Sequence, residues 1–291
     1  MGNTDARFAF IGASGRVGRL VTRGSASPDS PYHQMPLQFR DKTAVPDART
    51  LPWDIAEGPD GLRRWMARFG PLNALVVMAG VTPATGADMS LNIRLAQAYL
   101  HAAAEAGIRR VLLASSSLVY GAGDSTPITE TTPCAPMEPY GQSKLDMENM
   151  AARMAQDSGL EVCCLRIGNV AGADSLLGGA SGATAAAPMT IEQFPDGRSA
   201  RRSYIGPAQA GAMLARLATG PDPLPDALNF AGIAPVYMDD LATAARIPWR
   251  FVPAPKGRQQ TRVLDCTALS RLIDMPAGTG DPETIAREWR R

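Results

Sequence analysis

The chain has 291 residues, 45% hydrophobic and 20% charged, with 29 basic against 28 acidic side chains and a formal charge of +1. That length can bury a sizeable core, and that composition excludes a disordered chain. The balanced charge leaves no electrostatic footprint for nucleic acid or an anionic membrane, so neither is an expected partner.

In chain order, three short apolar runs, residues 7–11, 74–78 and 110–114, have the continuous hydrophobicity of buried parallel strands. A weaker run, 36–39, lies between the first two. Helical patterns occupy 16–23, 61–69 and 92–106. In the last, Ile93, Ala96, Leu100 and Ala103 share one side and Gly107 follows as a C-terminal cap. A helix over 142–156 and a strand over 160–167 continue the alternation, which predicts a parallel α/β sheet wound on both faces. Beyond it the texture changes. Residues 178–187 (GGASGATAAA) are small and weakly patterned, which predicts a mobile loop. Prolines are frequent in the last third, where 209–218 and 239–246 read as helices. The expected division is residues 1–170 as a Rossmann-type nucleotide-binding domain. Residues 171–291 follow as a smaller domain over the carboxyl edge of the sheet, with some segments returning to it.

The four cysteines, Cys134, Cys163, Cys164 and Cys266, lack ligand spacing, and only His33 and His101 are present, so no metal site is expected. Cys163 and Cys164 read as small core residues of a reduced, intracellular protein. The start of the chain lacks a signal-peptide pattern and no run of about 18 apolar residues occurs, so the cytoplasm is the expected location.

Residues 8–11 run directly into Gly12-Ala13-Ser14-Gly15-Arg16-Val17-Gly18, a GxxGxxG loop entering a helix. Glycines permit the tight turn and let the backbone approach a pyrophosphate, which the freed amides and the positive helix end then face. The second strand is expected to end at Arg40-Asp41. An acidic residue there suits NAD and an arginine suits the 2′-phosphate of NADP, so Arg40 favours NADP, with NAD the alternative if the register places Asp41 instead. Asp54 reads either as a neighbour of the adenine or as a helix N-cap.

The chemistry is carried by Ser115-Ser116-Ser117-Leu118-Val119-Tyr120-Gly121 and, further on, Tyr140-Gly141-Gln142-Ser143-Lys144. A tyrosine and a lysine four apart share a helix face. A phenol has a pKa of about 10, and the expectation is that the neighbouring ammonium, helped by an oxidised nicotinamide, favours the phenolate. Tyr140 would then exchange a proton with a substrate hydroxyl while hydride passes between its carbon and the nicotinamide. A serine hydroxyl at the preceding strand end would hold the same oxygen.

These motifs resemble the extended short-chain dehydrogenases/reductases, the NAD-dependent epimerase/dehydratase group that includes UDP-galactose 4-epimerase. The resemblance implies Ser116 as the catalytic serine, with Ser117 second choice, and Tyr140 and Lys144 as the catalytic pair. Asn92 matches a helix asparagine that supports the active site, and Ala79 and Gly80 match the strand end beneath the cofactor. Asn169, in Leu165-Arg166-Ile167-Gly168-Asn169, and Arg202, in Arg202-Ser203-Tyr204-Ile205, match substrate contacts, Arg202 to a nucleotide-sugar diphosphate. Gly206, Pro207 and Gln209 depart from the last block, and Ser117-Leu118 lacks the acidic pair of the sugar dehydratases. The implied function is an NAD(P)-dependent oxidoreductase or epimerase acting on a secondary alcohol or ketone, with a homodimer formed by the helices at 92–106 and 142–156. A non-catalytic dinucleotide sensor is the rival reading.

Overall fold

Apolar strands of this kind must be covered on both faces, and the helices between them supply the cover. The computed structural model describes residues 7–24, 27–33, 35–38, 50–51, 53–122 and 126–291. In the first part, β1 (Phe8–Ile11) leads to α1 (Arg16–Val21), followed by β2 (Leu37–Gln38) and β3 (Thr50–Leu51). Next come α2 (Asp60–Phe69), β4 (Ala74–Val77), α3 (Leu91–Glu105), β5 (Arg110–Ser116), α4 (Pro139–Ser158) and β6 (Glu161–Ile167).

The remainder contains β7 (Asn169–Val170), β8 (Met189–Gln193), β9 (Arg201–Arg202), β10 (Tyr204–Ile205), α5 (Pro207–Thr219) and β11 (Ala227–Phe230). It ends with β12 (Val236–Tyr237), α6 (Met238–Ala244), β13 (Trp249–Pro253), β14 (Thr261–Arg262), α7 (Thr267–Leu272) and α8 (Pro282–Arg290).

The main sheet runs β11-β6-β5-β4-β1-β2-β3 and all its pairings are parallel. The order reverses between β1 and β4, which opens a crevice outside the carboxyl ends of those strands. One face buries Phe8, Phe10, Val76, Leu112 and Leu165 against Met213 and Leu217 of α5. The other buries Ile11, Leu75, Val77, Leu113 and Cys164 against α2, α3 and α4 through Leu62, Leu100 and Met147. Two elements from beyond residue 171, α5 and β11, thus build the main sheet layer. α7 also packs on β11 and joins the first core through Leu269, whereas α6, α8 and β8 enclose a separate core of Leu176, Leu177, Ile191, Tyr204, Leu241 and Ile285.

The departures from the expected elements have local causes. β5 extends two residues beyond 114 because Ser115 and Ser116 remain paired with Arg166 and Ile167 of β6. α4 begins at Pro139, a residue suited to a first helical turn, so Tyr140 is already helical. α1 stops at Val21 with Gly24 in the left-handed region just beyond. In residues 178–187, expected as a mobile loop, a 3-10 turn spans Ala180–Gly182, with Ala180 buried and most of the other positions exposed. The four cysteines are free. Among the described residues no helix is long and apolar enough to cross a membrane.

Candidate active site

The glycine loop is shaped by backbone contact. Gly12 has φ +87°, and a side chain there would stand 2.7 Å from the Ala79 nitrogen at the end of β4. The Gly15 amide closes the turn on the Gly12 carbonyl at 3.0 Å. Gly18 lies against Ala13 so closely that only a hydrogen fits. The Gly12 amide donates to Gln38 Oε1 at 3.1 Å, and Gln38 Nε2 donates to the Trp53 carbonyl at 3.2 Å, tying the loop to the ends of β2 and β3. Trp53 is fixed in turn by its indole N–H on the Gly58 carbonyl (2.8 Å) and by an edge contact with Tyr99 at 5.4 Å.

Along this crevice runs a cleft of about 1030 Å³. Gly12, Ser14, Gly15, Arg16, Val17 and Gly18 form one wall, with Ala79 and Gly80 beside them. Asp54 lines it too, and its carboxylate also accepts the Ala56 amide at 3.0 Å as the N-cap of a 3-10 turn, so the two roles considered for it are compatible. At the other end stand Ser116, Tyr140, Lys144 and Asn169. Arg40 and Asp41 lie outside the described residues, so the expected choice between them has no structural counterpart here.

Tyr140 and Lys144 sit one turn apart on α4, with the Lys144 ammonium 6.0 Å from the Tyr140 ring centroid. The Tyr140 hydroxyl lies near enough to the Ser116 side chain for that hydroxyl to lower its pKa, and Ser116 Oγ accepts the Leu118 amide at 3.2 Å. Lys144 Nζ donates to the Ala114 carbonyl at 2.8 Å. Burial lowers the Lys144 ammonium to about 8. The expectation that this ammonium makes the phenol acidic is not met by the protein's own groups. Burial raises Tyr140 above its ordinary value, and the Ser116 hydroxyl and the Arg16 charge recover only part of that. Desolvation outweighs the nearby charges because the whole face of α4 is packed against the sheet.

Three predicted residues stand outside the cleft lining. Asn92 is buried beneath it, its side chain accepting the Val81 amide (3.0 Å) and donating to the Val81 carbonyl (3.2 Å) and Ser143 Oγ (3.1 Å). It ties the β4–α3 turn to α4 and acts through them, as a positioning residue. Ser117 is turned away in the 3-10 turn Ser117–Tyr120, and its carbonyl accepts from Arg262. Arg202 directs its guanidinium at the Gln259 carbonyl (3.0 Å) and the Gln260 carbonyl, with Arg262 near enough to lower its pKa further after burial. Sequence reasoning missed Gln38, Trp53 and Asp174 of the lining. Asp174 accepts the amides of Gly172 (2.9 Å), Leu176 (2.7 Å) and Leu177 (2.9 Å) and the Tyr204 hydroxyl (3.1 Å), and so shapes the wall after β7. An Asp followed at two and three residues by amides it can cap is a recognisable turn signal; for Gln38 and Trp53 no signal in the sequence existed.

A model of the NAD-dependent epimerase/dehydratase family matches residues 11–208. The chain belongs to that family. A UDP-glucose 4-epimerase of Azospirillum brasilense is 47% identical over 75 residues, which is 26% of this chain and 22% of that relative's length. The UDP-glucose 4-epimerase of Thermus thermophilus, solved with NAD, superposes with a TM-score of 0.72 at 19% identity over 98% of this chain and 99% of that one. The UDP-Glc/GlcNAc 4-epimerase of Campylobacter jejuni gives a TM-score of 0.77 at 18% identity, covering 98% of each chain. At those identities the structural likeness concerns the fold.

The residues present fit a dinucleotide. The bare backbone at Gly12 and Gly15 and the amides of the loop suit a pyrophosphate, and the cleft matches the size of a large ligand site. Among the described residues no cluster of three or more His, Cys, Asp or Glu could hold a metal ion.

Proposed function

We propose that the protein catalyses NAD-dependent hydride transfer at a secondary alcohol or ketone carbon of a nucleotide sugar, with epimerisation as the favoured outcome. One observation carries the reading: Ser116, Tyr140 and Lys144 line the same cleft as the glycine loop. Bound in that cleft, the nicotinamide supplies the hydride acceptor and donor. Tyr140 moves the proton to or from the substrate oxygen, Ser116 holds that oxygen, and Lys144 fixes the site beside the loop. Asn169 and Asp174 face the substrate from the other wall. NAD is preferred over the NADP that Arg40 suggests, because the Thermus neighbour was solved with NAD.

The purified chain is expected to interconvert UDP-glucose and UDP-galactose, followed by proton NMR of the anomeric signals. Tyr140→Phe should lose about 10²–10⁴ in turnover while still binding NADH. Full turnover by Tyr140→Phe, with the substrates accepted by the wild type, overturns the proton-transfer role. Fluorescence titration with NADH and NADPH tests the cofactor, and tighter NADPH binding reverses the preference. The resemblance also supports a homodimer through α3 and α4, which pack together; light scattering at one chain's mass removes it.

A further inference from the structure

Lys144 and Glu148 stand one turn apart on α4, and both are buried. Their side chains fasten on consecutive residues at the end of β5. Lys144 Nζ donates to the Ala114 carbonyl, and the Ser115 hydroxyl donates to Glu148 Oε1. The next strand residue, Ser116, meets Tyr140 from one turn earlier on the same helix. Three positions spaced by four thus clasp three consecutive strand residues, and the serine run that places Ser116 in the cleft is gripped from behind by a carboxylate.

Glu148 cannot swing freely. Arg166 on β6 holds it with Nη2 at 2.8 Å and Nε at 3.1 Å from Oε2. Arg166 Nη1 reaches the Tyr120 hydroxyl at 3.0 Å, and its guanidinium lies 4.8 Å from the centre of the Tyr120 ring. The Tyr120 hydroxyl donates to Asn229 Oδ1 at 2.8 Å on β11. The carboxylate is therefore a fixed charge braced by three adjacent strands.

A buried ammonium needs a compensating charge as well as hydrogen-bond acceptors. Lys144 is offered the Ala114 carbonyl and the Met147 sulfur at 3.9 Å, and both are neutral. From α4 it faces Tyr140, a phenol that burial keeps protonated, and Glu148. From β6 come Cys164, whose thiol burial holds well above its ordinary value, and Arg166, already committed to Glu148. The turn after β4 and α3 contribute Gly80 and the uncharged Asn92. Among these, Glu148 supplies the negative charge.

We propose that Glu148 is a positioning residue for Lys144: its carboxylate, pinned by Arg166 and Ser115, keeps the lysine charged and in place at the floor of the cleft. The inference rests on the reading of Lys144 as part of the active site, but its test requires no substrate. Burial already lowers the ammonium to about 8, with Cys164 and then Glu148 acting in the opposite sense; burial keeps the Cys164 thiol protonated, so the carboxylate is the charge that remains. Removing that carboxylate moves the lysine toward its neutral form near pH 7.

The chain contains three lysines, Lys42, Lys144 and Lys256, so ε-¹³C-lysine labelling gives three signals, assigned by substitution. In the full-length wild type the Lys144 signal should titrate near 8. In Glu148→Gln it should titrate at least about one pH unit lower, and in Glu148→Asp, which keeps the charge, within about half a unit of the wild type. An unchanged midpoint in a folded Glu148→Gln protein overturns the proposal. Breaking one half of a buried pair is destabilising, so the double variant Glu148→Leu with Arg166→Met, apolar and of similar volume, covers the case in which Glu148→Gln does not fold. A lowered Lys144 midpoint is expected there too; a wild-type midpoint shows the pair to be structural only and overturns the proposal. A protein that shows the shift yet turns over no nucleotide sugar refutes the proposed reaction alone.

Discussion

Replacing Gly18 by alanine isolates the contact on which the dinucleotide cradle depends. A Cβ at Gly18 would lie 2.8 Å from Ala13 Cα and 2.9 Å from its carbonyl carbon, and closer still to the Gly12 oxygen. All three are backbone atoms, so no side chain can move aside, and α1 must shift away from the end of β1. Overpacking of this kind costs about 1–3 kcal/mol. The gain in helix propensity from glycine to alanine offsets up to about 1 kcal/mol. Backbone contacts this short put the cost at the upper end of that range, so about 2–3 kcal/mol remains, a fall in Tm of roughly 4–12 °C. The same shift displaces the Gly15 amide and the helix end, so NADH should bind more weakly as well. Gly182→Ala serves as the control, because nothing stands within 4 Å of a Cβ there. Circular-dichroism melting and NADH fluorescence titration read both effects. A Gly18→Ala protein that matches the Gly182→Ala control in both measurements refutes the reasoning.

Tyr120→Phe deletes the hydroxyl joining Arg166 to Asn229 and leaves the buried Asn229 Oδ1 short of a donor. A loss of about 1–3 kcal/mol in urea unfolding is expected, and an unchanged midpoint contradicts it. Alkaline pH should destabilise the fold. Burial raises the thiols of Cys163, Cys164 and Cys266, the last to about 12, so the unfolded chain releases those protons first and stability falls above pH 9. Lys144, lowered to about 8, acts in the opposite sense from about pH 8 to its ordinary value of 10.5. Three thiols at roughly 1.4 kcal/mol each by pH 10 outweigh one lysine at about 2, leaving a net loss on the order of 2 kcal/mol between pH 8 and 10. Urea unfolding at those two pH values checks the sign, and equal or greater stability at pH 10 contradicts it.

The residues most legible in the sequence were those whose function depends on backbone shape or on fixed helical spacing. Gly12, Gly15 and Gly18 are required by close approach, and Tyr140 and Lys144 by the pitch of a helix, so both patterns were apparent without a structure. Gln38 and Trp53 were not, because their place in the cleft comes from a bridge between two strand ends. Arg202 matches a family motif for a diphosphate contact, whereas its neighbours in space, the carbonyls at 259 and 260 and the guanidinium of Arg262, come from a segment nearly sixty residues later. β11 was missed because Ala227–Phe230 is four residues long and follows a proline-rich stretch, and only its pairing with β6 makes it a strand. The two-residue strands likewise carry too few residues for a periodic pattern.

Burial acts on Tyr140 and Lys144 in the same direction, toward the neutral form of each. The phenol therefore keeps its proton at neutral pH in the protein alone, a state suited to donating a proton but not to accepting one. A positive charge placed within about 4–6 Å lowers such a pKa by roughly 1–3 units. Oxidised nicotinamide carries that charge and reduced nicotinamide does not, so the acidity of Tyr140 should follow the redox state of the cofactor. The base would then be present when hydride is to be accepted, and the acid when hydride is to be given. Ultraviolet difference titration of tyrosinate, wild type minus Tyr140→Phe, measures this directly. With saturating NAD the Tyr140 midpoint should lie at least about one pH unit below its position with saturating NADH, and Arg16→Gln should raise both midpoints by removing a cation that already lowers it. Equal midpoints with the two cofactors would mean that burial alone sets the phenol, and the coupling between proton and hydride transfer would fail.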